Sequence, residues 1–128
     1  MMNKLNLIGV IVKDYDAAIE FYTHKLGFEV AEDAAFADQR WITLKLRNTP
    51  DSALNLALAK SKTDEALVGK QGGSFPLLGL GTDDCLGDYR QMKQLGVTFH
   101  GEPTAGPWGT GVLLEDLYGN KIFMSQEP

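Results

Sequence analysis

The sequence predicts an α+β protein made of two βαβββ modules in tandem. Three observations carry that prediction. Apolar runs and turn residues read strand, helix and three strands, and the same order then repeats. Each helix opens on an aspartate and closes on Leu-Gly. The spacing also repeats, since Asp14 lies 13 residues before Gly27 and Asp83 lies 13 before Gly96. An internal repeat of this kind outweighs any single motif as evidence of architecture.

Residues 5–12 form an apolar run of strand character, and Asp14 then offers a side-chain cap to a helix. Tyr15, Ala18, Phe21, Tyr22 and Leu26 recur at three- and four-residue steps and give that helix one apolar face. Gly27 supplies its left-handed stop. Strands follow over 28–31, 40–46 and 53–59, with Asn48-Thr49-Pro50-Asp51 as the turn before the last. In the second half a strand spans 76–82, Asp83 and Asp84 can cap a helix, and Leu86, Tyr89, Met92 and Leu95 form its apolar stripe before Gly96. Strands over 97–100, 110–115 and 121–125 complete it. The expected organisation is one domain over 1–128, with module 1 at 1–60, a linker at 61–75 and module 2 at 76–128. The stretch 61–75 holds a helical turn at 64–68 and then Gly69-Lys70-Gln71-Gly72-Gly73-Ser74. It reads as a module linker, with a mobile lid as the other reading.

Composition removes several classes of function. A chain of 128 residues can bury a core without disulfides or structural metals, and its 44% hydrophobic and 23% charged residues are ordinary for a soluble domain. No apolar run approaches the length of a membrane helix, so no membrane partner is expected. The opening MMNKLNLIGV lacks the layout of a secretory signal, and Cys85 is the only cysteine. A cytoplasmic protein is the simplest expectation. A net charge of −5 argues against a nucleic-acid partner.

Residues 12–22, VKDYDAAIEFY, followed by Leu26-Gly27-Phe28, resemble the first-module signature of the vicinal oxygen chelate superfamily, in which an Asp-capped helix ends FYxxxLGF. Asp116-Leu117-Tyr118-Gly119-Asn120 resembles the DPxGN turn before that family's final strand, with Leu117 where proline is usual. The family includes glyoxalase I, bleomycin resistance proteins and extradiol dioxygenases, and the resemblance spans essentially the whole chain. It implies tandem modules forming a concave mixed sheet, a homodimer, and in the metal enzymes His and Glu ligands on the first and last strand of each module. Those positions fall here at Leu7, Asn55, Leu77 (or Pro76, one residue earlier) and Phe123. None supplies an imidazole or a carboxylate, and the amide oxygen of Asn55 alone cannot hold a divalent ion. The sequence therefore predicts no metal, no cofactor and no assignable catalytic residue.

Other chemical candidates are sparse. His24 suits the helix C-terminus. His100 with Glu102 makes two metal ligands without a third. Cys85 opens a helix, with packing as its expected use.

Anchoring strand alternation on the former ligand positions splits each strand into two faces. Ile8, Val10, Val12, Leu54, Leu56, Leu58, Leu78, Leu80, Ile122 and Met124 form the layer against the helices. The opposite, concave face carries Leu7, Gly9, Asn55, Ala57, Leu77, Gly79 and Phe123, joined by Trp41, Thr43 and Lys45. Small residues beside Trp41 and Phe123 leave room for an apolar guest, with Asn55, Thr43 and Lys45 to orient it and Trp108 in a loop at the rim. The opposing reading is that Gly9, Gly79 and Gly81 allow close approach between strands or modules, without a cavity. The leading expectation is a metal-independent protein that binds a small apolar or aromatic organic molecule, protective by sequestration like the bleomycin resistance branch. A glyoxalase- or dioxygenase-like enzyme with a non-standard metal site and a non-catalytic interaction module stand as alternatives.

Overall fold

Two aspartates start the long helices. The Asp14 carboxylate accepts from the Ala17 amide at 2.7 Å and opens α1 (Tyr15–His24); Asp84 accepts from Gly87 at 3.0 Å and opens α3 (Cys85–Gln94). The second cap is thus Asp84 rather than Asp83, which shortens the cap-to-glycine spacing in that half to 12 residues. Gly27 and Gly96 follow the helices at φ of 84° and 89°, a conformation costly for any side chain with a Cβ.

The structure, a computed structural model, describes residues 1–128 and divides into two units, Met1–Val68 and Gly69–Pro128. The first holds β1 (Leu7–Val12), α1, β2 (Glu29–Phe36), β3 (Gln39–Lys45), β4 (Ala53–Leu58) and a short α2 (Lys62–Leu67). The second holds β5 (Leu78–Gly81), α3, β6 (Phe99–Gly106), β7 (Gly109–Glu115) and β8 (Lys121–Gln126). Each unit makes its own four-stranded mixed sheet, in the orders β1-β4-β3-β2 and β5-β8-β7-β6. In both, the first strand runs parallel to the last and the remaining pairs are antiparallel. The helical crossover after the first strand makes the parallel pairing possible.

The outer strands β2 and β6 reach eight residues, well beyond the expected 28–31 and 97–100. Edge strands with little burial need no apolar alternation, so periodicity cannot mark their ends. Both carry a bulge, between Val30 and Glu32 in β2 and between His100 and Thr104 in β6. Conversely β5 is shorter than the expected 76–82.

Each module has its own core. In the first, Val10, Val12, Ile42, Leu44, Leu54 and Leu56 are buried together with Ala18, Phe21 and Tyr22 of α1. In the second, Leu78, Val112, Leu114, Ile122 and Met124 are buried with Cys85, Tyr89 and Met92 of α3. Burying such side chains stabilises the fold by about 1.5 to 3 kcal/mol each before entropy is counted. Ile8, Leu58 and Leu80, assigned to the same layer, are only half-buried.

Ser61 caps α2 through the Asp64 amide at 3.0 Å, placing a helix where one turn was expected. Gly69 then lies against the turn at Tyr118, where a Cβ would come within 1.9 Å of a backbone oxygen, so only glycine fits. That turn is held by two buried polar residues. Asp116 accepts from the amides of Tyr118 and Asn120 and from the Asn120 side chain, all at 2.9 Å.

Candidate functional site

Sheet register sorts the expected site residues into two faces, one per module. In module 1, Gly9, Asn55, Thr43 and Glu32 form one row across β1, β4, β3 and β2. Strand alternation puts Leu7, Ala57, Trp41 and Lys45 on the same side. In module 2 the corresponding row is Gly79, Phe123, Leu113 and His100. Gly111 and Ser125 form the next row with Gly81, and Leu77 immediately precedes β5. Gly9 and Gly79 head matching rows, so Leu77, rather than Pro76, is the counterpart of Leu7.

The module 1 face is polar at its centre. Thr43 Oγ1 donates to Glu32 Oε1 at 3.1 Å, and Trp41 Nε1 donates to the same oxygen at 3.3 Å. Asn55 Nδ2 donates to the Ile42 carbonyl at 3.1 Å. Glu32 was not among the residues expected here. By simple alternation Ala31 would oppose Thr43, but the bulge substitutes Glu32. Lys45, expected to orient a ligand, instead donates from Nζ to the Pro50 carbonyl at 2.8 Å, because the following turn brings that oxygen within reach.

The module 2 face is aromatic. Trp108 belongs to a two-residue turn, Pro107-Trp108, between β6 and β7, and its ring lies 5.9 Å from that of Phe123 at an interplanar angle of 51°. Its ring therefore packs against Phe123 on the strand face. Gly111 lies directly beneath the pair: a Cβ there would meet Phe123 Cζ at 2.5 Å and Trp108 Cη2 at 3.0 Å. Beside the rings, a Cβ built on Gly79 or Gly81 meets nothing within 4 Å, and the same holds for Gly9 in module 1. These three glycines are not imposed by close backbone approach; they leave open space on the faces.

The four positions that resemble metal-ligand sites hold two leucines, an asparagine amide and a phenyl ring. That set does not fit a divalent ion. Nowhere do three or more His, Cys, Asp or Glu side chains gather closely enough to hold one. His100 Nε2 lies 2.6 Å from Glu115 Oε2 and is not paired with Glu102. His24 pairs with Glu20 at 2.7 Å on exposed helix surface. Cys85 is fully buried, and burial first, then Asp88 and Asp84, push its thiol pKa up, the opposite of what a nucleophile needs.

Comparison with known proteins gives this geometry its family. Residues 4–124 match the model of the Glyoxalase/Bleomycin resistance protein/Dioxygenase superfamily. An uncharacterised protein of Shewanella frigidimarina is 38% identical over 115 residues, covering 88% of this chain and 85% of its own length. Among solved structures, UcmS2 superposes with a TM-score of 0.86 at 30% identity, covering 98% of both chains. TnmS3, described as an antibiotic-binding protein from Streptomyces sp. CB03234, superposes with a TM-score of 0.80 at 28% identity, covering 99% of this chain and 98% of its own. A duplicated βαβββ fold, capped helices at matching places and a family match over nearly the whole length agree, and the chain belongs to the Glyoxalase/Bleomycin resistance protein/Dioxygenase superfamily.

Proposed function

We propose that this protein is a metal-independent binding protein for a small apolar or aromatic organic molecule, acting by sequestration. The observation that carries the reading is the Trp108–Phe123 pair standing beside the open positions of Gly79 and Gly81. Aromatic rings next to unfilled space on a strand face offer a ligand stacking area without the cost of moving side chains. The likeness to TnmS3 supports the same reading. An enzyme of the glyoxalase or dioxygenase kind would need a Lewis-acidic ion, and the donor set does not fit one.

The test uses Trp41→Phe protein, in which Trp108 is the remaining one of two tryptophans. Titration with a neutral bicyclic aromatic such as 2-acetylnaphthalene is expected to quench Trp108 saturably. Phe123→Ala should weaken the apparent affinity about fivefold or more, from lost stacking and buried area. Non-saturating quenching that is unchanged by Phe123→Ala would reject the reading.

We also infer a homodimer in the cytoplasm. The outer strand β2 is exposed along its whole length and carries Val30 and Phe36, an edge that a second copy would protect. No helix is long and apolar enough to cross a membrane, and the lone buried Cys85 suits a reducing compartment. A monomeric mass by light scattering at micromolar concentration would sink the dimer.

A further inference from the structure

We propose that the module 1 face recognises a protonated amine on the ligand, through Glu32, Asn55 and the Trp41 ring. This deepens the binding reading above and rests on it for the premise that the strand faces meet ligand.

The two donors that hold Glu32 both use one carboxylate oxygen. Oε1 accepts from Thr43 and Trp41, whereas Oε2 accepts no hydrogen bond and Glu32 takes part in no ion pair. The nearby cations are engaged elsewhere. Arg40 is taken up by Asp16 at 2.9 Å and Asp33 at 2.8 Å, and Lys45 is held at the Pro50 carbonyl. A carboxylate held through one oxygen, with the other free and no ion-pair partner, is a donor-seeking group.

The neighbouring groups make the same demand. Asn55 must present Nδ2 to the Ile42 carbonyl, since two oxygens cannot hydrogen-bond each other, and this leaves its Oδ1 as an unused acceptor in the same row. Trp41 is 41% exposed, and its indole N–H is bound to Glu32, which orients the ring and leaves it accessible. An unpaired carboxylate, an amide oxygen and an oriented indole offer two acceptors and a π surface. An ammonium group satisfies all three, through charge-assisted hydrogen bonds and a cation–π contact. A carboxylate or phosphate on the ligand would be repelled. Thr43 is almost fully buried and gives its proton to Glu32, so it positions the carboxylate and does not compete for ligand.

The test uses Trp108→Phe protein, which keeps Trp41 as its single tryptophan, and two probes that share the phenylbutyl group: the cationic 4-phenylbutylamine and its uncharged N-acetyl derivative. The amine is expected to change Trp41 emission saturably and to bind about tenfold or more tightly than the amide, with the difference shrinking at high salt. Glu32→Gln keeps an oxygen for Thr43 and Trp41. It should lower amine affinity about tenfold, leave amide binding unchanged and leave the thermal midpoint close to that of the parent. Equal binding of amine and amide, an unaltered amine affinity in Glu32→Gln, or no saturable response to the amine would overturn the proposal. Failure of the broader binding reading registers separately, in the Trp108 response to the neutral probe.

Discussion

The two modules share a backbone and differ in chemistry. Row for row, Asn55, Thr43 and Glu32 correspond to Phe123, Leu113 and His100, and in the next row Trp41 corresponds to Gly111. The buried faces stay alike: three side chains of each helix, Ala18, Phe21 and Tyr22 or Cys85, Tyr89 and Met92, pack on an aliphatic sheet layer. Packing punishes change in volume and polarity, so it keeps duplicated cores similar. The opposite faces carry no such constraint, and one has become polar and acidic while the other is aromatic. A duplicated fold here supplies two frames, and the chemistry of each lies in a few side chains aimed by strand register.

The turns before the last strand of each module show the same divergence and carry the largest expected effect. In module 2, Asp116 is 5% exposed and satisfies three donors. Asp116→Ala should cost about 2 to 3 kcal/mol, because buried N–H groups lose their acceptor. In module 1 the matching turn, Asn48-Thr49-Pro50-Asp51, is exposed, and Asn48→Ala should stay within about 0.5 kcal/mol. Urea unfolding of the two variants measures the difference. Equal losses would mean that the turns do the same work and that the contrast between modules is only superficial.

What was legible in the sequence follows the same division between buried and exposed. Asp14, Gly27 and Gly96 mark helix ends through caps and backbone conformation, and the alternation of Leu54-Asn55-Leu56 marks a half-buried strand; both are local signals. The sorting of Gly9, Asn55, Thr43 and Trp41 to one face followed from alternation anchored on the positions that resemble the family's ligand sites, since β1, β3 and β4 are regular. Glu32 was not legible, because the bulge at Ala31 breaks that parity and no composition signal announces it. The contact of Trp108 with Phe123 was missed for a related reason: β6 extends to Gly106 as an exposed edge, turning an apparent loop into a tight hairpin that returns the indole to the sheet. Asp83 and Asp84 are equally good caps by residue type, and only backbone geometry separates them.

Two glycines give the finest discrimination between the faces. Gly9 and Gly79 occupy corresponding rows, neither has positive φ, and a Cβ on either meets nothing within 4 Å. Gly9→Ala and Gly79→Ala should therefore fold as the parent does, or gain up to about 1 kcal/mol from a less flexible unfolded chain. Each added methyl intrudes on the open space of its own face and on no other part of its sheet. Gly79 pairs with Phe123, so Gly79→Ala should weaken the neutral aromatic probe several-fold and leave 4-phenylbutylamine unaffected; Gly9 pairs with Asn55, so Gly9→Ala should do the reverse. The measurement is a two-by-two set of fluorescence titrations, read at Trp108 for the neutral probe and at Trp41 for the amine. If either alanine weakens both probes equally, the separation of an aromatic module from an amine-seeking module fails. If the effects cross as described, the divergence of the duplicated rows is functional, because a methyl group with no steric cost to the fold acts only through the ligand that would have taken its place.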